Sequence, residues 1–200
     1  MKPVIGILAP FLTPSQRAAI AAAAEENGFA LREFATAEEL EENCAECEVL
    51  YGYLSPSVLP KARALKWFQS ASAGVDQFCD PALWQNPDAV LTNSSGVYGV
   101  TISEHMICLV LMLMRRIPEY MACAQRREWG PQMPLRSIYG STIAVVGTGD
   151  LGTSFARRAK ALGARCVRGV KRSPAPAGPC YDETYTSDRL KEAVADCDVV

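Results

Sequence analysis

Gly147, Gly149 and Gly152 stand between an apolar run at residues 143–146 and an amphipathic stretch that opens at Asp150 and Leu151. A dinucleotide's pyrophosphate needs that combination. The first glycine permits a tight turn, the second lets the phosphates approach the backbone, and the third lets the following helix pack closely on the strand. The first turn of the helix then offers unpaired N–H groups and a partial positive charge to the anion. Phe155, Ala159 and Leu162 give that helix an apolar face, and Gly163 stops it before a second short strand at residues 165–170. Strand, turn, helix and strand in this order separate a nucleotide-binding unit from a structural glycine loop.

The end of the second strand bears on which dinucleotide is bound. An acidic residue there hydrogen-bonds the ribose hydroxyls in NAD-binding units. In this chain Val170 is followed by Lys171, Arg172 and Ser173. Two cations and a hydroxyl suit a 2′-phosphate, which arginine can grip with two parallel hydrogen bonds. The expected cofactor is NADP(H), with NAD(H) as second choice; the bland alternative is a solvated basic turn.

Three further groups invite chemistry. Ser70-Ala71-Ser72-Ala73-Gly74-Val75-Asp76 follows a short strand, and its small residues leave backbone N–H groups open to a small carboxylate, although a plain turn has the same composition. His105, the single histidine, adjoins Glu104 at the start of an apolar segment, where a hydrogen-bonded structural histidine is expected rather than a general acid–base pair. Cys44-Ala45-Glu46-Cys47 has the spacing of a redox or metal half-site, but no second pair or histidine follows at zinc spacing. The eight cysteines fall inside predicted helices and strands with no export signal, so reduced, buried thiols and no metal are expected.

The elements that must position these groups alternate along the first half. Strands are expected at 4–8, 29–34, 49–53, 67–70 and 90–92. Helices are expected at 17–26, capped by Ser15 and ended at Asn27-Gly28, at 36–44, and at 57–64. Such alternation implies a parallel sheet with helices on both faces, and ligands at the carboxyl ends of its strands. The pattern then changes to one long helix at 101–116, apolar almost all round after Glu104 and His105, which must be covered on every side. Gly96 and Gly99 make a hinge before it, so the expected domains are 1–98 and 99–200. A further helix at 119–127 ends near Trp129-Gly130-Pro131, and an irregular link at 132–139 leads to the glycine turn.

Composition bounds the rest. With 49% hydrophobic and 21% charged residues the chain is ordinary for a globular protein, and a net charge of −2 with dispersed cations gives no footprint for nucleic acid. The amino-terminal stretch holds Pro3 and Pro10 and lacks a cleavage site of small residues, so it is not a signal peptide. The longest apolar run, 106–114, is too short to span a bilayer. A cytoplasmic location is expected.

Taken together, Trp67-Phe-Gln-Ser-Ala-Ser-Ala-Gly-Val-Asp76, Leu91-Thr-Asn-Ser-Ser-Gly-Val97, Ser103-Glu-His105 with its apolar helix to Arg115-Arg116, Trp129 and the glycine turn resemble, in order and spacing, the D-isomer-specific 2-hydroxyacid dehydrogenase family. The resemblance covers essentially the whole chain. It implies an α/β protein: a flavodoxin-like substrate domain and a Rossmann-type doubly wound nucleotide domain, with catalysis in the cleft between them. It also implies that N–H groups around Ala73, Gly74 and Val75 hold the carboxylate of a 2-oxoacid or 2-hydroxyacid, that Thr101 lies near the nicotinamide, and that helix 101–116 forms a homodimer interface. The basic turn looks like that of NADPH-preferring glyoxylate and hydroxypyruvate reductases.

The family's catalytic arginine, glutamate and histidine are expected beyond Val200. Neither His105 nor Arg115 takes their place, since each matches another family position. Residues 197–200 open a new buried strand, so the nucleotide domain reads as cut short and these residues alone are expected to be inactive and poorly soluble. Tyr51, Tyr53, Leu54 and the 71–75 loop are expected to line a pocket for a small acid with little charge beyond its carboxylate. Two other readings of the same fold are a nucleotide-sensing or corepressor module without turnover, and a dehydrogenase for phosphite or formate.

Overall fold

The computed structural model describes residues 2–130 and 132–200; Met1, and Pro131 of the expected helix end, lie outside them. The chain divides into two compact units, Met1–Ser95 and Gly96–Val200.

The first unit is a parallel sheet of five strands, β1 (Val4–Leu8), β2 (Ala30–Glu33), β3 (Cys47–Gly52), β4 (Trp67–Ser70) and β5 (Val90–Thr92), in the order β2-β1-β3-β4-β5. That order is flavodoxin-like, and it reverses direction between β1 and β3, where open α/β sheets gather their ligands. Helix α1 (Pro14–Glu26) returns the chain from β1 to β2, and α2 (Ala37–Asn43) from β2 towards β3. The cap of α1 is Thr13 rather than the expected Ser15: its hydroxyl accepts from the Gln16 N–H while the Gln16 side chain accepts from the Thr13 N–H, a reciprocal pair with Pro14 at the first helical position. The helix expected at 57–64 does not form. A single 3₁₀ turn, Pro56–Val58, is followed by turns, because Pro60 has no N–H to give and its ring disfavours helical continuation. Phe68 and Phe78, fully buried, meet edge to face at 5.0 Å in a core shared with Leu40, Leu50, Val58 and Leu59.

The second unit opens with α3 (Gly99–Met114) and α4 (Ile117–Gln125), separated by a sharp turn in which Arg116 adopts the left-handed conformation at φ 53°. The irregular segment from 132 leads to β6 (Thr142–Val146), α5 (Asp150–Ala161) and β7 (Cys166–Lys171). A strand unforeseen from sequence follows, β8 (Glu183–Thr186), then the short α6 (Leu190–Val194). The sheet runs β6-β7-β8, all parallel, and Val199 bridges to Ile143 on the free side of β6. Pairing thus begins on the second side of β6, the side on which a doubly wound Rossmann-type sheet continues. One face of α3 packs on this core through Met106, Ile107, Val110, Leu111 and Met114. Val100, Ile102, Leu109 and Leu113 on its other faces are exposed, so within this chain α3 is not covered on every side.

Candidate functional site

Each unit presents one candidate site at the carboxyl ends of its strands. In the second unit β6 ends at an exposed Val146 and turns at Gly147, whose φ of +101° disfavours a side chain and whose N–H donates to Val170 O at 2.8 Å. Gly149 caps α5, and the first turn follows as Asp150, Leu151 and Gly152. A Cβ on Gly152 would lie 1.9 Å from Gly147 O, so the helix can sit this close to the turn only without one. A Cβ on Gly149 would meet nothing within 4 Å, leaving open space above the backbone. The N–H groups from Thr148 to Gly152 donate to no group among the described residues. Free donors, open space and a helix N-terminus fit a dinucleotide's pyrophosphate.

Asp150 places a carboxylate in the first turn of α5. A Cβ on Gly99 would come within 2.6 Å of Asp150 Oδ1 and of Ser154 Oγ, so the start of α3 lies against the start of α5. Thr101, in the first turn of α3, is thereby at the same end of the unit; it is exposed, and its hydroxyl donates to Tyr98 O at 3.4 Å. Lys171 ends β7, with Val170 paired to Val146 across the ladder, so Lys171, Arg172 and Ser173 stand one strand from the glycine turn. Arg172 and Ser173 are exposed, and neither cation makes an ion pair among the described residues. Ser173 Oγ accepts from the Ala175 N–H at 3.3 Å.

In the first unit the loop after β4 is set by a hydrogen-bond relay that the sequence did not reveal. Trp67 Nε1 donates to Thr92 Oγ1 at 2.7 Å, Thr92 donates to Gln69 Oε1 at 2.6 Å, and Gln69 Nε2 donates to Ser70 O at 2.8 Å. Asn93 Nδ2 donates to Ala73 O at 2.7 Å and Ser94 Oγ to Ser70 O at 3.0 Å, tying the loop to the end of β5. The Ala73, Gly74 and Val75 N–H groups donate to nothing among the described residues, and the space about Gly74 is open. Val75 itself packs against the core. The one available signal for this brace was Asn93-Ser94-Ser95 directly after a strand, since such side chains bond nearby backbone readily.

Other expected groups fall elsewhere. Tyr53 is exposed at the end of β3 and Tyr51 half-buried within it, but Leu54 turns inward and belongs to the core rather than a pocket lining. His105 is exposed and has no hydrogen-bond partner among the described residues, while Glu104 pairs with Arg158 at 3.6 Å. A buried, hydrogen-bonded His105 is thus not what forms: buried Ser103 and half-buried Ile107 face the unit, and His105 falls on the other side of α3. All eight cysteines are free; Cys79 and Cys108 are exposed, against the expectation of buried thiols. Cys44 and Cys47 are buried, and burial pushes the Cys47 thiol up to about 11, the opposite of a reactive thiolate. Among the described residues no group of three or more His, Cys, Asp or Glu could hold a metal ion, and no helix is long and apolar enough to cross a membrane.

Residues 107–200 match the family model described as D-isomer specific 2-hydroxyacid dehydrogenase, NAD binding domain. A D-lactate dehydrogenase of Staphylococcus aureus is 25% identical over 170 residues, 83% of this chain and 50% of that protein. A D-3-phosphoglycerate dehydrogenase of Methanocaldococcus jannaschii is 29% identical over 137 residues, 66% of this chain and 26% of that protein. The chain therefore spans half or less of these curated relatives. Among solved structures, a D-isomer specific 2-hydroxyacid dehydrogenase family protein from Aeromonas salmonicida superposes over 100% of this chain and 63% of its own, with a TM-score of 0.84 and 28% identity. The glycine turn, the strand order of both sheets and these likenesses agree in making the chain similar to the D-isomer specific 2-hydroxyacid dehydrogenase family, whose NAD binding domain is matched by residues 107–200.

Proposed function

We propose that the protein is an NADP(H)-dependent oxidoreductase that interconverts a small 2-oxoacid and its 2-hydroxyacid, a class that includes glyoxylate and hydroxypyruvate. The observation that carries the cofactor half is the end of β7, where Lys171 and Arg172 stand without ion-pair partners among the described residues, one strand from the glycine turn, and no carboxylate takes the ribose position. Gly147, Gly149, Asp150, Leu151 and Gly152 would hold the pyrophosphate through the backbone, Lys171, Arg172 and Ser173 the 2′-phosphate, and Thr101 would lie towards the nicotinamide. When bound, NADPH supplies a hydride to a carbonyl carbon.

The Ala73, Gly74 and Val75 N–H groups would orient the acid by its carboxylate. Orientation of this kind is where such sites gain much of their rate. We assign none of the 200 residues to proton transfer. The exposed apolar residues of α3 and α4, among them Val100, Leu109, Leu113 and Met121, support a homodimer built on α3. Free cysteines accord with a cytoplasmic location.

The test is oxidation of NADPH and NADH by the full-length protein with glyoxylate, hydroxypyruvate, pyruvate and phenylpyruvate. NADPH is expected to bind more tightly than NADH, and Arg172→Ala to lose about tenfold in NADPH affinity, some 1.4 kcal/mol, with NADH little changed. Equal affinities that the substitution leaves equal would overturn the cofactor assignment. No turnover with any 2-oxoacid would overturn the reaction.

A further inference from the structure

The connections that leave adjacent strands β1, β3, β4 and β5 open with uncharged residues: Ala9-Pro10-Phe11-Leu12, Tyr53-Leu54, Ala71-Ser72-Ala73-Gly74-Val75 and Asn93-Ser94-Ser95. On this edge two aromatic rings are left in the open. Phe11 is 49% and Tyr53 54% exposed, and they meet edge to face with centroids 5.2 Å apart.

Both rings are held by the backbone beneath them. Leu12 N–H donates to Ala9 O at 3.2 Å, and Arg17 Nη2 donates to the same oxygen at 3.2 Å, closing the turn that carries Phe11. Tyr53 N–H donates to Leu8 O at 3.3 Å, while Leu54 is anchored in the core. Between them Gly52, at φ +138°, has no room for a side chain: a Cβ would stand 2.0 Å from Leu8 O. Ala71 N–H donates to Gly52 O at 3.0 Å, which brings the start of the 71–75 loop directly beside Tyr53. Strands lie about 4.8 Å apart, so the Tyr53 backbone stands one strand from Ala71, where the loop begins, and the end of β1, which leads to Phe11, one strand further.

We infer that Phe11 and Tyr53 form a side-chain subsite that selects 2-oxoacids bearing an apolar substituent, branched alkyl or aryl, over glyoxylate and over acids with a second charge. This rests on the reading of the 71–75 loop as the carboxylate site. With the carboxylate on the Ala73 and Gly74 N–H groups, the ring pair offers the rest of the molecule exposed apolar surface at the ends of the neighbouring strands. Each methylene moved from water onto such a surface strengthens binding by about fourfold. Glyoxylate has no substituent to place there. A second charge, such as a phosphate, would lose water on this edge, where the cation at the Phe11 turn, Arg17, is already engaged by Ala9 O and by Glu33.

The experiment measures binding and turnover separately, on the full-length protein. Calorimetry in the presence of NADP⁺, where no 2-oxoacid can be reduced, compares phenylpyruvate, 4-methyl-2-oxopentanoate, glyoxylate and 3-phosphohydroxypyruvate; initial rates with NADPH compare the same acids. The expected result is that phenylpyruvate and 4-methyl-2-oxopentanoate bind at least about tenfold more tightly than the other two. Phe11→Ala and Tyr53→Ala should bring that ratio towards one, and Tyr53→Phe, which keeps the ring, should preserve it. Ratios near one in the wild type, or ratios that both alanine variants leave intact, would overturn the subsite even if every acid is reduced. Selective binding lost in the alanine variants supports the subsite even without turnover, an outcome that would remove the reductase reading instead. Binding of none of the acids would overturn both.

Discussion

Gly152 shows how little latitude the nucleotide turn has. Its missing side chain is a packing requirement, because a Cβ would press to 1.9 Å on the Gly147 carbonyl, and a backbone oxygen cannot swing aside as a side chain could. Gly152→Ala is therefore expected to destabilise the protein by about 1–3 kcal/mol and to weaken NADPH binding. At Gly149 the space is open, so Gly149→Ala should leave stability near wild type while hindering the approach of phosphates. Urea unfolding and NADPH fluorescence titration separate the two; equal stability losses would contradict the packing account. The spacing of these glycines is legible in sequence because each role is local. The relay from Trp67 through Thr92 and Gln69 to Ser70 is not, since it joins residues on different strands that pair only once the sheet has formed.

At the scale of elements α3 is the instructive case. Its apolarity was plain from sequence, and so was the need to cover it, but which faces the chain covers by itself was not. Met106, Ile107, Val110, Leu111 and Met114 turn to the core, and Leu113 remains 73% exposed. A monomer rarely leaves such a patch in water. The wild-type protein is expected to run as a dimer in size-exclusion chromatography with light scattering. Leu109→Asp with Leu113→Asp should give a monomer of unchanged far-ultraviolet circular dichroism, and a monomeric wild type would refute the α3 dimer. The shorter elements show why boundaries drift. Both Thr13 and Ser15 can cap a helix, and Thr13 prevails because Gln16 is in place to reciprocate. The segment 57–64 had helical composition, but Pro60 breaks it.

Over the whole molecule, contacts distant in sequence hold the closing segment to the second sheet. Asp198 N–H donates to Thr142 O and the Asp198 carboxylate accepts from the Thr142 N–H, at 2.8 and 2.9 Å. Arg168 on β7 pairs with Asp196, and the guanidinium holds the Asp196 carboxyl below the ordinary carboxylate range. A carboxyl whose pKa is depressed by folding contributes stability that is present above its unfolded value and lost as pH falls through its folded value. Asp196→Asn should thus lower the Tm at neutral pH, and the gap to wild type should close below about pH 4. A gap that persists in acid would show that the pair's charge is not what matters.

The sequence by itself determined the local chemistry: the turn that can cradle phosphates, the basic end of the second strand, the small-residue loop and the alternation of strands and helices. Each depends on neighbours within a few residues, where propensity and spacing act directly. Only the tertiary structure decided that β8 joins the second sheet, that Val199 lies on the other side of β6, that Asn93 and Ser94 brace the loop after β4, and that Phe11 and Tyr53 share an edge. These follow from parallel pairing, in which each crossover brings together strand ends far apart in the chain. No local pattern in the sequence encodes that meeting.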